Sequence, residues 1–291
     1  MSFFEPWQQY KNPCVRQLAF CISSPNIISC IPSTLRIKHS FQLHDHVFWQ
    51  TQFFQYQARL NELDHDPTDL LSFIAQLKST RLGLRFEMFL LFWLRDEKYH
   101  TFQLIGHSIQ QIEGKHTLGE LDFVIFNHST GQIEHWEVAI KYYLAESHAK
   151  LEQWYGLNRN DTLAKKLNHF TQNQFQFNTA SGQSIQQKYA VLKGQLYYPI
   201  DQAISHMPDW INTTRRIGYW GNSPLNGLYR LTRHEWITAN VSPALSSGWW
   251  HDGLYCNVEQ TLFYMYRLPR IQAPYKISQS IENILHTLHT N

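Results

Sequence analysis

Two acidic side chains facing each other across an apolar hairpin are the feature of this sequence best placed to do chemistry. In GELDFVIFNHSTGQIEHWEVAIKYY, residues 119–143, the segments 119–126 and 133–143 read as strands, rich in Phe, Val, Ile, Trp and Tyr. Between them, Asn127-His128-Ser129-Thr130-Gly131-Gln132 supplies turn chemistry, which predicts an antiparallel hairpin. Symmetric closure of that loop sets Phe126 against Ile133 and Asp122 against Glu137. Alternation along each strand puts Glu120 on the face of Asp122, and Ala139 and Lys141 on the face of Glu137. Opposed side chains lie roughly 4.5–5.5 Å apart at Cβ, where like charges repel. Two such carboxylates need compensation, and a bound divalent cation is the simplest source of it.

Two further charges interrupt apolar stripes. The segment 81–94, RLGLRFEMFLLFWL, predicts a buried helix by its length and near-total apolarity. Glu87 shares a face with Leu84 and Leu91. It either reaches the helix edge or pairs with Arg85 or Arg95, or it belongs to a site. Lys166 falls within the Leu163–Leu167–Phe170 stripe of a helix starting near Asn160-Asp161, one of which would cap it. A snorkelling lysine stem is the bland alternative. His44-Asp45-His46 has metal-binding residue types but reads more simply as a solvated turn before Phe48-Trp49.

The elements that must carry these residues follow in order. A helix is predicted from about Asn12 to Ser23. Two more lie in 52–78, split by His65-Asp66-Pro67, with Pro67 suited to a first helical turn. A strand over 100–111 and a loop over 112–118 precede the hairpin, and 189–198 is a further strand ended by Pro199. Short strands are expected at 214–221, 227–237 and 260–268, with a terminal helix over 277–290. The composition, 43% hydrophobic with ten Trp and eighteen Phe, is ample for a packed core and excludes a disordered chain. A net charge of +2 neither requires nor forbids a nucleic-acid partner. Four cysteines without CxxC spacing give no disulfide framework or zinc knuckle. No apolar run approaches the ~18 residues of a membrane helix, so the expectation is a soluble cytoplasmic protein. Nucleotide-binding GxxxxGK[ST] and GxGxxG patterns and a GxSxG elbow are absent.

The order buried helix, strand, acidic hairpin, helix, strand resembles the PD-(D/E)XK nuclease superfamily. More narrowly, the chain resembles the bacterial domain-of-unknown-function family numbered 1853, placed in that superfamily. The residues that carry the likeness are Arg85-Phe86-Glu87, Gly119-Glu120-Leu121-Asp122, Trp136-Glu137-Val138-Ala139-Ile140-Lys141 and, more weakly, Arg159-Asn160-Asp161 with Lys166-Leu167. The superfamily likeness spans roughly 80–200, and the narrower one nearly the whole chain.

The resemblance implies an α/β protein with a restriction-endonuclease-like core, a mixed central sheet flanked by helices. That core would occupy 80–200 of a single domain, with a helical extension over 1–79 and a β-rich extension over 201–291. It implies Mg²⁺, or Mn²⁺, held by Asp122, Glu137 and Glu87, and hydrolysis of phosphodiester bonds in DNA. Lys141 would be the principal catalytic cation, orienting the nucleophile and offsetting charge in the transition state, with Lys166 contacting the scissile or a neighbouring phosphate. One departure stands out. The superfamily lysine usually follows the acid by two residues, where this chain has Ala139. Lys141 keeps the same strand face but lies about 6.6 Å further along, at roughly 3.3 Å per residue. A bulge near Val138 or Ala139 would favour Lys141 as the catalytic cation; a regular strand would favour Lys166. The competing expectation is a nuclease-fold protein that binds nucleic acid or acts as a scaffold without catalysis.

Overall fold

The computed structural model describes residues 3–146, 150–202, 207–241 and 250–268. It is an α/β protein built on one large mixed sheet. Helices α1 (Pro13–Ser23), α2 (His46–His65), α3 (Thr68–Ile74) and α4 (Leu82–Arg95) precede the strands. Strands β1 (Phe102–Glu113), β2 (His116–Asn127) and β3 (Gln132–Ala145) form an antiparallel meander. After the short β4 (Trp154–Tyr155) come α5 (Leu163–Gln172), a two-stranded ribbon of β5 (Thr179–Ala180) and β6 (Gln183–Ser184), and the long β7 (Gln187–Pro199). Strands β8 (Gly218–Gly221), β9 (Tyr229–Arg230), β10 (Gly253–Cys256) and β11 (Phe263–Tyr266) extend the same sheet. Its order is β1-β2-β3-β7-β8-β11-β10-β9, with β4 on the far end of β3. The β3–β7, β7–β8 and β8–β11 pairs are parallel. No helix among the described residues is long and apolar enough to cross a membrane.

Helix starts follow local capping. Asn12 accepts from the Cys14 and Val15 amides ahead of Pro13, satisfying donors that a first helical turn leaves free. Asp45 does the same for α2 by accepting from the Phe48 amide at 2.8 Å. That helix therefore begins at His46, and the turn expected before Phe48-Trp49 is its first turn. Packing explains the shift: Phe48 and Trp49 both stand edge-on against Trp136 of β3. The expected 112–118 loop is instead continuous strand around a two-residue turn. Gly114 has a φ of 60°, which such a tight turn needs, and Glu113 pairs with His116. Helix α5 is capped by Thr162, not Asn160 or Asp161, because Asp161 is engaged elsewhere. Of the expected strand at 227–237, only Tyr229–Arg230 pairs. Glu235 then ties the Thr232 amide and hydroxyl into a 3-10 turn over His234–Trp236. β10 is not among the strands expected from the sequence, and the helix expected at 277–290 lies outside the described residues.

The sheet is covered on both faces. Helices α1, α2 and α4 pack with Phe123, Ile125, Trp136 and Ile140 in one apolar core. Helix α5 packs with Ala139, Tyr143, Ala190 and Leu192 on the other side. The parallel β3–β7 pair passes unusually close at one point. Gly194 has a φ of 119°, and a Cβ there would lie 1.8 Å from the Lys141 carbonyl oxygen, so only glycine fits.

Candidate active site at the fork of the sheet

Strands β2 and β3 pair from Asn127↔Gln132 to Phe123↔Trp136 and then part. Beyond that point β2 stays with β1 as far as His116, and β3 stays with β7 as far as Leu144. The first residues past the last rung are Asp122 and Glu137. The opposition expected from symmetric loop closure therefore occurs, at the mouth of a fork and not within a closed ladder. Asp122 Oδ2 accepts the Val138 N–H at 2.8 Å, a bond that takes the place of the missing rung.

Glu137 is fully buried and held on every side. Its Oε1 lies 2.7 Å from His135 Nε2, two residues earlier on the same strand face. Gln174, just after α5, donates its side-chain amide to Oε2. The Asp122 backbone N–H and carboxyl also hydrogen-bond to it. Burial pushes the Glu137 carboxyl up to about 8, opposed chiefly by the Lys166 charge. Burial likewise pushes Asp122 up to about 8, with repulsion from Glu137 second and from Glu87 weaker. Desolvation thus outweighs carboxylate repulsion as the cause. His135 is driven down to about 3 by its own burial, so it is neutral. Its Nδ1 has no partner, which leaves the proton on Nε2, facing Glu137.

The cation of this cluster is Lys166. Its Nζ donates to Gln174 Oε1 at 3.2 Å and sits 4.0 Å over the Phe170 ring. Burial lowers its pKa to about 8, against the pull of Glu137 and Asp122. Lys141 points away: its ammonium pairs with Asp161 at 2.6 Å. The β3–β7 register runs without a break through Val138 and Ala139, so nothing shortens the path from Glu137 to Lys141. Of the two lysines expected at the site, the fold brings Lys166 to the carboxylates and turns Lys141 to a neighbouring cleft.

Glu87 stands on α4, in the layer opposite α5, and its carboxylate is tied to His107 at 2.6 Å. Its charge is felt at Asp122. No group of three or more His, Cys, Asp or Glu side chains converges as a ready metal cage among the described residues. Sequence reasoning missed His135, Gln174 and His107. Period-two alternation would have placed His135 on the Glu137 face, whereas nothing local marks Gln174 or His107, which arrive from distant segments. The remaining candidate, His44-Asp45-His46, is no site: Asp45 is a helix cap, and His44 is stacked between Phe48 and Tyr189.

Fold and cluster together define an α/β protein whose mixed sheet forks around a buried carboxylate pair with an adjacent lysine. Residues 16–260 match the family model described as Domain of unknown function (DUF1853). The chain belongs to that family. It has no match among the curated proteins or the solved structures.

Proposed function

We propose that this protein is a divalent-cation-dependent nuclease with a restriction-endonuclease-like core, hydrolysing phosphodiester bonds in DNA. The observation that carries the reading is the meeting of Asp122, Glu137 and Lys166 where β2 and β3 separate. The element order α4, β1–β3, α5, β7 is the one that the PD-(D/E)XK resemblance implies, which supports the superfamily assignment. The donor set suits Mg²⁺ or Mn²⁺: it is all carboxylate oxygen, with no thiolate nearby. Asp122 and Glu137 are the residues that would hold the ion, with Glu87 approaching from the opposite layer. When bound, such an ion supplies Lewis acidity toward a phosphoryl oxygen and a more acidic water.

The protein's own groups then have separable roles. Asp122 and Glu137, neutral or sharing protons near pH 7, become fully ionised when a positive charge arrives between them. The His135 and Gln174 donors hold the Glu137 carboxylate in one orientation, and Val138 N–H does so for Asp122. Lys166 stands where it can offset negative charge that develops on a phosphate in the transition state.

One observation favours the second reading, a nuclease-fold protein that binds nucleic acid without cutting it. Both Glu137 oxygens already accept hydrogen bonds from protein donors. Incubation with labelled single-stranded, duplex and branched DNA, and with RNA, in Mg²⁺, Mn²⁺ or EDTA separates the two. Metal-dependent cleavage lost in Asp122→Asn and in Glu137→Gln is the expected outcome. Salt-dependent binding with no cleavage in either metal would leave the second reading standing.

A further inference from the structure

Beside the fork, β3 and the start of α4 line an open cavity of ≈ 310 Å³ that the carboxylate cluster does not use. Arg81, Gly83, Lys141, Asn158, Asp161 and Arg233 are among its walls. Three cations therefore face one carboxylate. The Lys141 ammonium is bonded to that carboxylate, Asp161, at 2.6 Å. Arg81 and Arg233 are exposed and pair with no acidic side chain among the described residues. The Arg233 guanidinium lies 4.2 Å over the Trp236 ring, which fixes its plane and leaves its N–H edge free for an anion. The first turn of α4, at the rim of this space, has no side-chain cap, and a Cβ at Gly83 would meet nothing within 4 Å. At ~30 Å³ per water, the space is that of about ten waters, enough for a phosphate group with part of its hydration shell.

We propose that this cavity is a subsite for a non-reacting phosphate of a nucleic-acid strand, contacted by Arg81, Lys141 and Arg233. The identity of the strand rests on the nuclease reading. The subsite itself rests on the cavity, the charge imbalance and the unpaired arginines. Lys141 thereby gains a role. Four residues beyond Glu137 on the same strand face, it holds the substrate next to the scissile bond and does not act on that bond. Two phosphate chemistries share these requirements, an internal diester and a terminal monoester.

The test is fluorescence anisotropy in EDTA, using labelled single-stranded and duplex oligonucleotides bearing either a 5′-phosphate or a 5′-hydroxyl. The parent protein is compared with the double variant Arg81→Gln/Arg233→Gln and with Arg233→Lys. Thermal melting confirms that each variant is folded, as expected for exposed positions. The double variant should bind about tenfold more weakly and lose about one unit from the slope of log affinity against log salt. Arg233→Lys, which keeps the charge but loses the planar guanidinium stacked on Trp236, should recover only part of the affinity. Weakening confined to 5′-phosphorylated strands identifies a terminal monoester, and weakening of both kinds identifies an internal diester. Unchanged affinity and slope in the double variant would overturn the subsite, as would a parent protein showing no salt-dependent binding. Cleavage of the same oligonucleotides in Mg²⁺ keeps the two ideas apart. Arginine-dependent binding without cleavage removes the nuclease reading and leaves the subsite. Cleavage and binding both indifferent to the arginines do the reverse.

Discussion

Asp122→Asn should make the metal-free protein more stable at pH 8 and change how its stability depends on pH. The Asp122 carboxyl is raised from 3.8 to about 8, mainly by burial. In the unfolded chain it ionises near 4, so between about pH 4 and 8 the folded state holds a proton that the unfolded state has released. Stability must then fall as pH rises through this window, by ~1.4 kcal/mol per unit for one proton. Four units give a ceiling of roughly 6 kcal/mol. Proton sharing with Glu137 and local water entry reduce this, and about half is a reasonable expectation. Asparagine keeps the shape and an oxygen for the Val138 N–H bond but cannot ionise. At pH 8 the variant should therefore exceed the parent by about 2–3 kcal/mol, on the order of 5–10 °C in Tm. The difference should shrink toward pH 4.5. Measurements stop at pH 8 because Lys166, lowered to about 8, contributes the opposite slope above it. Urea denaturation in EDTA at pH 4.5, 6, 7 and 8 provides the numbers. Parallel stability curves for parent and variant, or a variant less stable at pH 8, would refute the claim that this pair is strained by burial. Adding Mg²⁺ at a hundredfold excess over its Kd should stabilise the parent by about 2.7 kcal/mol and the variant hardly at all.

The lysines and the close strand contact give two more tests. Lys166→Ala should lower the cleavage rate by orders of magnitude, while Lys141→Ala should mainly raise the substrate concentration needed; single-turnover kinetics over a substrate series distinguishes them. The reverse ranking would return the catalytic role to Lys141. Gly194→Ala should destabilise the fold by several kcal/mol, because both its φ and the Lys141 carbonyl exclude a Cβ. Soluble yield and thermal melting report this, and a melting temperature within a degree or two of the parent would contradict the geometry.

Much of this protein is written locally. The Asn127–Gln132 turn signal and the alternating Phe, Val, Ile and Trp residues on either side sufficed to set Asp122 against Glu137, because hairpin register follows from the turn. The buried helix carrying Glu87, the helix carrying Lys166 and the strand ending at Pro199 were legible from periodicity and punctuation. Capping was less legible: the cap expected for α5 was Asn160 or Asp161, but Asp161 was drawn to Lys141 and left α5 to Thr162. What the tertiary structure decided was everything that depends on pairing between distant segments. The fork exists because β2 finds more partners on β1 and β3 finds more on β7 than the two find in each other. That separation opens room for Lys166 and Gln174 at Glu137, from 29 and 37 residues away along the chain. It also explains why spacing alone pointed to Lys141. Sequence spacing reports which face a side chain occupies along one strand. Which charge stands nearest in space depends on how another element packs across that face, and here α5 delivers Lys166 while the unbroken β3–β7 register carries Lys141 past the carboxylates to Asp161.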